Sequence, residues 1–191
     1  MDVGIIGLGV LGRAVAERFL RLRMHSVYVY AHAGCAADLI AKRALACATP
    51  RLVAENSAIV FLTCDDHPSL ERCSQEHGGL KGHLREDQVV VWLSSRWGDR
   101  RTEAVGLPPI CSTQMELVAD AKDSGAPTFR VRGSERLYCH YEPCFRQLGP
   151  DIRFEGPLVA GIGGPPNGSS DDLIFGDPGH GRRRLKCLAA L

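Results

Sequence analysis

Apolar residues along this chain fall into two alternating rhythms. Val3-Gly4-Ile5-Ile6 is a short run suited to a strand buried on both faces, and Leu11, Val15, Phe19 and Leu22 then recur at the period of one helix face. Val27-Tyr28-Val29-Tyr30 returns to strand character. Thr49-Pro50 reads as a cap followed by proline at the first helical position, which predicts a short helix through Leu52 and Val53 to Asn56. Ile59-Val60-Phe61-Leu62 is the next buried strand and ends at the polar turn Thr63-Cys64-Asp65-Asp66. Val89 to Leu93 repeats the pattern and ends in Ser94-Ser95.

The second half keeps the alternation. Thr113-Gln114-Met115-Glu116 has capping-box spacing and Gly125 supplies a stop, so a helix of about three turns is expected between them. Thr128 to Val131 predicts a strand. Leu137, Tyr141, Cys144 and Leu148 predict a helix after Ser134, interrupted by Pro143 and closed by Gly149, and Ile152-Arg153-Phe154 predicts a last short strand. Strands and helices in turn imply an α/β fold, a doubly wound, mostly parallel sheet of Rossmann type with helices on both faces. Residues 1–157 form the expected nucleotide-binding domain. From residue 158 the spacing of glycine and proline breaks every pattern, so 158–191 is expected to be a largely disordered tail, with Arg182-Arg183-Arg184 as a solvated basic run.

Composition narrows the classes. A chain of 191 residues can bury one core of ordinary domain size. A formal net charge of +1 leaves no electrostatic footprint for nucleic acid, and no stretch is long and apolar enough to span a bilayer. No basic, cleavable apolar segment opens the chain, so a cytoplasmic location is the default expectation. The 8 cysteines include no C-x-x-C pair, and His67, His77, His83 and His140 add no ligand spacing, so packing thiols are expected and no metal site.

The candidate chemistry lies in Gly7-Leu8-Gly9-Val10-Leu11-Gly12, between the first strand and the first helix. Gly7 permits a tight turn, Gly9 lets the backbone approach phosphate, and Gly12 lets the helix pack on the strand. Free N–H groups at the helix start then meet the anion. Ligands of such sheets sit beyond the carboxyl ends of the strands, so Thr63, Cys64 and the hydroxyl of Ser95 are placed toward the same crevice. An NAD site usually carries Asp or Glu after the second strand, whereas this chain has Ala31-His32. That absence favours NADP, with NAD kept open.

These motifs together resemble the β-hydroxyacid dehydrogenase family, which includes 3-hydroxyisobutyrate dehydrogenase and its relative 6-phosphogluconate dehydrogenase. The likeness runs over roughly residues 2–161. It rests on Val3 to Gly12, on His77-Gly78-Gly79-Leu80 through Ser95, and on Arg132-Gly133-Ser134-Glu135, Glu142-Pro143, Leu148-Gly149 and Phe154-Glu155-Gly156-Pro157. By this resemblance Gly7 to Gly12 would hold the pyrophosphate, Thr63 and Cys64 would line the cofactor where the family often has Leu-Pro, and Ser95 would lie near the nicotinamide.

The catalytic half departs from the family. Its substrate loop between helix and strand is cut short, because Gly125-Ala126-Pro127 passes directly into Thr128. Its G-x-x-x-K-x-x-x-N motif, aligned from Gly161, has Pro165 at the lysine and Ser169 at the asparagine. Proline has no proton to exchange. The family's all-α C-terminal domain has no counterpart in the pattern, which leaves apolar edges open to weak self-association. Two functions are therefore expected: an NADP(H)-binding protein of the 3-hydroxyacid dehydrogenase type that does not transfer hydride alone, or an active NAD(P)-dependent oxidoreductase of 3-hydroxyacids or related carbonyl compounds that uses His67 or Cys64 for proton transfer.

Overall fold

The computed structural model describes residues 1–31, 36–63, 71–74, 78–85, 87–94, 112–118 and 128–157. Its first half comprises β1 (Val3–Ile6), α1 (Val10–Leu22), β2 (Val27–Tyr30), α2 (Ala37–Ala41), β3 (Leu45–Ala46), α3 (Pro50–Glu55) and β4 (Ile59–Leu62). The second comprises β5 (Val89–Ser94), β6 (Ser112–Val118), β7 (Thr128–Gly133), α4 (Glu135–Phe145) and β8 (Asp151–Phe154). The eight described strands join in one sheet of order β3-β2-β1-β4-β5-β6-β7-β8. Every neighbouring pair is parallel except β6 and β7. This is the mostly parallel Rossmann-type sheet expected from the alternation of rhythms.

Period-two alternation divides the strands between two cores. Val3, Ile5, Ile59, Phe61, Val89, Val91 and Leu93 face one side, where α1 contributes Val15 and Phe19 and α4 contributes Tyr138, Tyr141 and Phe145. Ile6, Val60, Leu62, Val90 and Trp92 face the other, under Val53 and Ala54 of α3 and Leu80. Both faces are dry, which is why the central strands read as unbroken apolar runs. Gly4 is required on the second face, because a Cβ there would sit 2.5 Å from Val53 Cγ1 and 2.6 Å from Ser57 Oγ.

Local signals set several element ends. The Thr49 hydroxyl accepts the Leu52 N–H at 3.2 Å and Pro50 takes the first helical position of α3. In α4, Pro143 lies inside the helix near its end, where few hydrogen bonds remain to be lost. The Tyr141 hydroxyl, 2.8 Å from the Asp87 carbonyl and 3.0 Å from that of Ala58, ties α4 to the segments entering β5 and β4.

One expectation is overturned. The helix expected from Thr113 is instead the strand β6 over Ser112–Val118. It pairs with β5 in parallel from Val90↔Ser112 and with β7 in antiparallel from Thr113↔Gly133. Thr113 and Met115, two residues apart, are both buried on the sheet. A Thr-x-x-Glu spacing offers one local cap, and backbone ladders on both sides outweigh it. The proposed stop at Gly125, the deleted loop before Pro127 and the tail from residue 158 lie outside the described residues.

Candidate functional site: the glycine turn at the end of β1

β1 lies between β2 and β4, and the chain crosses from one side of it to the other, so the carboxyl ends of β1 and β4 flank a topological switch point. The glycine turn sits there. Gly7 has φ +92°, a region that favours glycine, and its N–H donates to the Tyr30 carbonyl at 3.1 Å. A Cβ on Gly12 would collide with the Gly7 carbonyl oxygen and lie 2.5 Å from Thr63 Oγ1. The first turn of α1 therefore rests directly on the turn that precedes it.

Among the described residues, no side chain caps the start of α1. Gly9 is the N-cap and supplies no side chain to it, the first turn contains no acidic residue, and the first helical bond runs from Arg13 N–H to the Gly9 carbonyl at 3.0 Å. The N–H groups of Val10, Leu11 and Gly12 precede that bond and point out of the helix start, where the helix dipole favours an anion. Gly9 and Val10 are exposed while Gly12 is buried. The arrangement can hold an anionic group without any charged side chain. Arg13 is turned aside, with its guanidinium 2.7 Å from Asp38 on α2, and that contact holds the Asp38 carboxyl below its ordinary range.

Thr63 has a more specific position than its sequence neighbourhood implied. It follows β4, is buried, and its N–H donates to the Ile6 carbonyl at 2.9 Å. Its hydroxyl donates to the Gly7 carbonyl at 2.6 Å, with the Ile6 carbonyl farther off at 3.3 Å. Thr63 thus grips the underside of the glycine turn. The signal for this was a polar residue directly after a buried strand, with a glycine turn at the end of the neighbouring strand.

Among the candidates, Gly7, Leu8, Gly9, Val10, Leu11, Gly12 and Thr63 are brought together here. His32, Cys64, Ser95 and His67 lie outside the described residues, although β2, β4 and β5, which lead toward His32, Cys64 and Ser95, run parallel and end on the same side of the sheet. The described cysteines Cys47, Cys73, Cys139 and Cys144 are free thiols. Burial pushes Cys144 up to about 12, so it stays a neutral packing group. No group of three or more His, Cys, Asp or Glu suited to a metal occurs among the described residues. No described helix is long and apolar enough to cross a membrane.

Comparison with known proteins agrees with this geometry. Residues 2–105 match the family described as the NAD binding domain of 6-phosphogluconate dehydrogenase. The chain is 26% identical over 161 residues to 2-hydroxy-3-oxopropionate reductase of Escherichia coli (strain K12), covering 82% of this chain and 55% of the relative. Among solved structures it resembles Psf3 in complex with NADP+ and 2-OPP, with a TM-score of 0.69 and 20% identity over 81% of this chain and 56% of that one. It also resembles an imine reductase from Myxococcus stipitatus in complex with NADP+, with a TM-score of 0.65 and 17% identity over 82% and 55% of the two chains. The chain spans about half the length of each of these relatives.

Proposed function

Because the chain belongs to the family of the NAD binding domain of 6-phosphogluconate dehydrogenase, we propose that it binds NADP(H) at the glycine turn and does not transfer hydride on its own. The observation that carries this reading is the interlock of Gly7, Gly12 and Thr63 beneath a helix start that no described side chain caps, so that its N–H groups could take a pyrophosphate. Gly7 to Gly12 would hold the phosphates, Thr63 and Cys64 the adjoining wall, Ser95 the nicotinamide side and His32 the adenosine phosphate. The cofactor, when bound, supplies the hydride chemistry of such enzymes. In the fold reading, residues 1–157 form the nucleotide domain, 158–191 form a tail, and a cytoplasmic location and weak self-association follow. The NADP preference rests on Ala31-His32, where an NAD site would carry a carboxylate.

Calorimetric titration with NADPH and NADH tests the reading. Binding of NADPH tighter than NADH is expected, and no heat from either at millimolar ligand would overturn it. Limited proteolysis tests the domain boundary, with a resistant core ending near Pro157 as the expected product.

A second reading, an active oxidoreductase of 3-hydroxyacids or related carbonyl compounds, is favoured by the likeness to 2-hydroxy-3-oxopropionate reductase. Pro165 and Ser169, at the family's lysine and asparagine positions, weigh against it. Turnover of a panel of hydroxyacids and semialdehydes, followed at the nicotinamide absorbance with and without His67→Ala, separates the two. Loss of turnover in that variant would favour catalysis through His67.

A further inference from the structure

At the other end of α1 from the glycine turn, the chain builds a second charged recess. Among the described residues, the non-glycine positions with positive φ are Arg23 at +53° and Arg43 at +76°. Arg23 caps α1, its N–H reaching the Leu20 carbonyl at 3.3 Å, and Arg43 follows α2, its N–H reaching the Ile40 carbonyl at 2.9 Å. Glycine or asparagine is the low-strain choice at such helix ends, so arginine there is held against a backbone preference. Both arginines line the same cleft, of about 690 Å³, together with Arg21, His25, Lys42 and Glu17.

The charges in this cleft do not cancel. Glu17 is paired with Lys42 at 2.7 Å, and that contact, with Arg21 adding to it, keeps the Glu17 carboxyl below its ordinary range. The His25 ring is held by the Met1 carbonyl at 2.9 Å and Gln147 Oε1 at 2.6 Å. The guanidinium groups of Arg21, Arg23 and Arg43 make no hydrogen bond or ion pair with any described residue. The carboxyl ends of α1 and α2 favour cations nearby through their dipoles, yet dipoles leave the planar donor forks of three arginines unfilled. Such forks match the oxygens of phosphate pairwise, and the volume is that of a small-molecule site.

We propose that this cleft is a binding site for a small, multiply charged phosphate-bearing anion, separate from the glycine turn and gripped by Arg21, Arg23 and Arg43. The left-handed backbone at two of these residues provides a clean test. Glycine at both positions removes the charges and relieves the strain, so the R23G/R43G chain is expected to melt no lower than the parent. Inorganic pyrophosphate is titrated calorimetrically into both chains, first with NADPH saturating and then without it. The parent is expected to bind one pyrophosphate with NADPH present. The double glycine variant is expected to lose at least tenfold in affinity, and Arg21→Gln, which leaves the backbone untouched, to lose severalfold. The difference between parent and variant is expected in both series, so a failure of dinucleotide binding would not disguise a failure here. Equal pyrophosphate affinity in parent and variants, or no pyrophosphate binding to the parent with NADPH present, would overturn the proposal.

Discussion

Gly12 and Thr63 illustrate how few atoms decide the character of this site. A methyl group on Gly12 has no space, since the Gly7 carbonyl and Thr63 Oγ1 already occupy it. Gly12→Ala is therefore expected to push α1 off the turn, costing about 1–3 kcal/mol of stability by overpacking and abolishing dinucleotide binding, as thermal melting and an NADPH titration would show. Thr63→Val keeps the shape of the side chain but leaves the Gly7 carbonyl without its donor. An unsatisfied buried carbonyl costs about 1–3 kcal/mol, and this part-buried one falls toward the lower end. A folded protein with NADPH affinity lowered roughly tenfold is expected, since 1.4 kcal/mol is a factor of ten. Unchanged affinity in this variant would show that Thr63 does not hold the turn in its binding shape. Gly7 and Gly12 were legible from spacing alone. The grip of Thr63 was not, because it joins residues 56 apart in sequence.

Strand elements were most legible where both faces are buried. β1, β4 and β5 announce themselves as apolar runs because neither side of them meets water. α2 and β3 left no usable signal: one has five residues with only Leu39 buried, and the other has two residues, both exposed. The Thr-x-x-Glu spacing of β6 points locally to a helix, whereas the pairings that make it a strand come from β5 and β7. The next pair, β7 with β8, carries a pH-sensitive clasp. Asp151 opens β8, its carboxylate accepting from Arg153 at 2.7 Å and from the Thr128 hydroxyl at 2.9 Å, and these contacts, Arg153 first, hold its pKa below the ordinary 3.8. A lowered carboxyl pKa contributes stability that is complete above the unfolded value and is lost as pH falls through the folded one. Asp151→Asn is accordingly expected to flatten the acid limb of a denaturation series below about pH 4, with little change in its slope near neutrality.

For the whole molecule, the order β3-β2-β1-β4 means that the site joins parts of the chain made at different times. β1 meets β2 across a single helix, but it meets β4 only after more than fifty residues have been drawn together, with Thr63 and Gly7 56 apart. Loop closure of that length delays the pairing, and topologies rich in distant pairings fold slowly. The switch point is therefore expected to assemble late in folding. A ligand that recognises only the finished crevice has little to hold in the folding transition state. In stopped-flow experiments NADPH is expected to slow unfolding while leaving the refolding rate unchanged. The central position of β1 in the sheet, which gives the glycine turn its two flanking strands, is therefore also expected to let a dinucleotide bound there act as a kinetic lock on the native state.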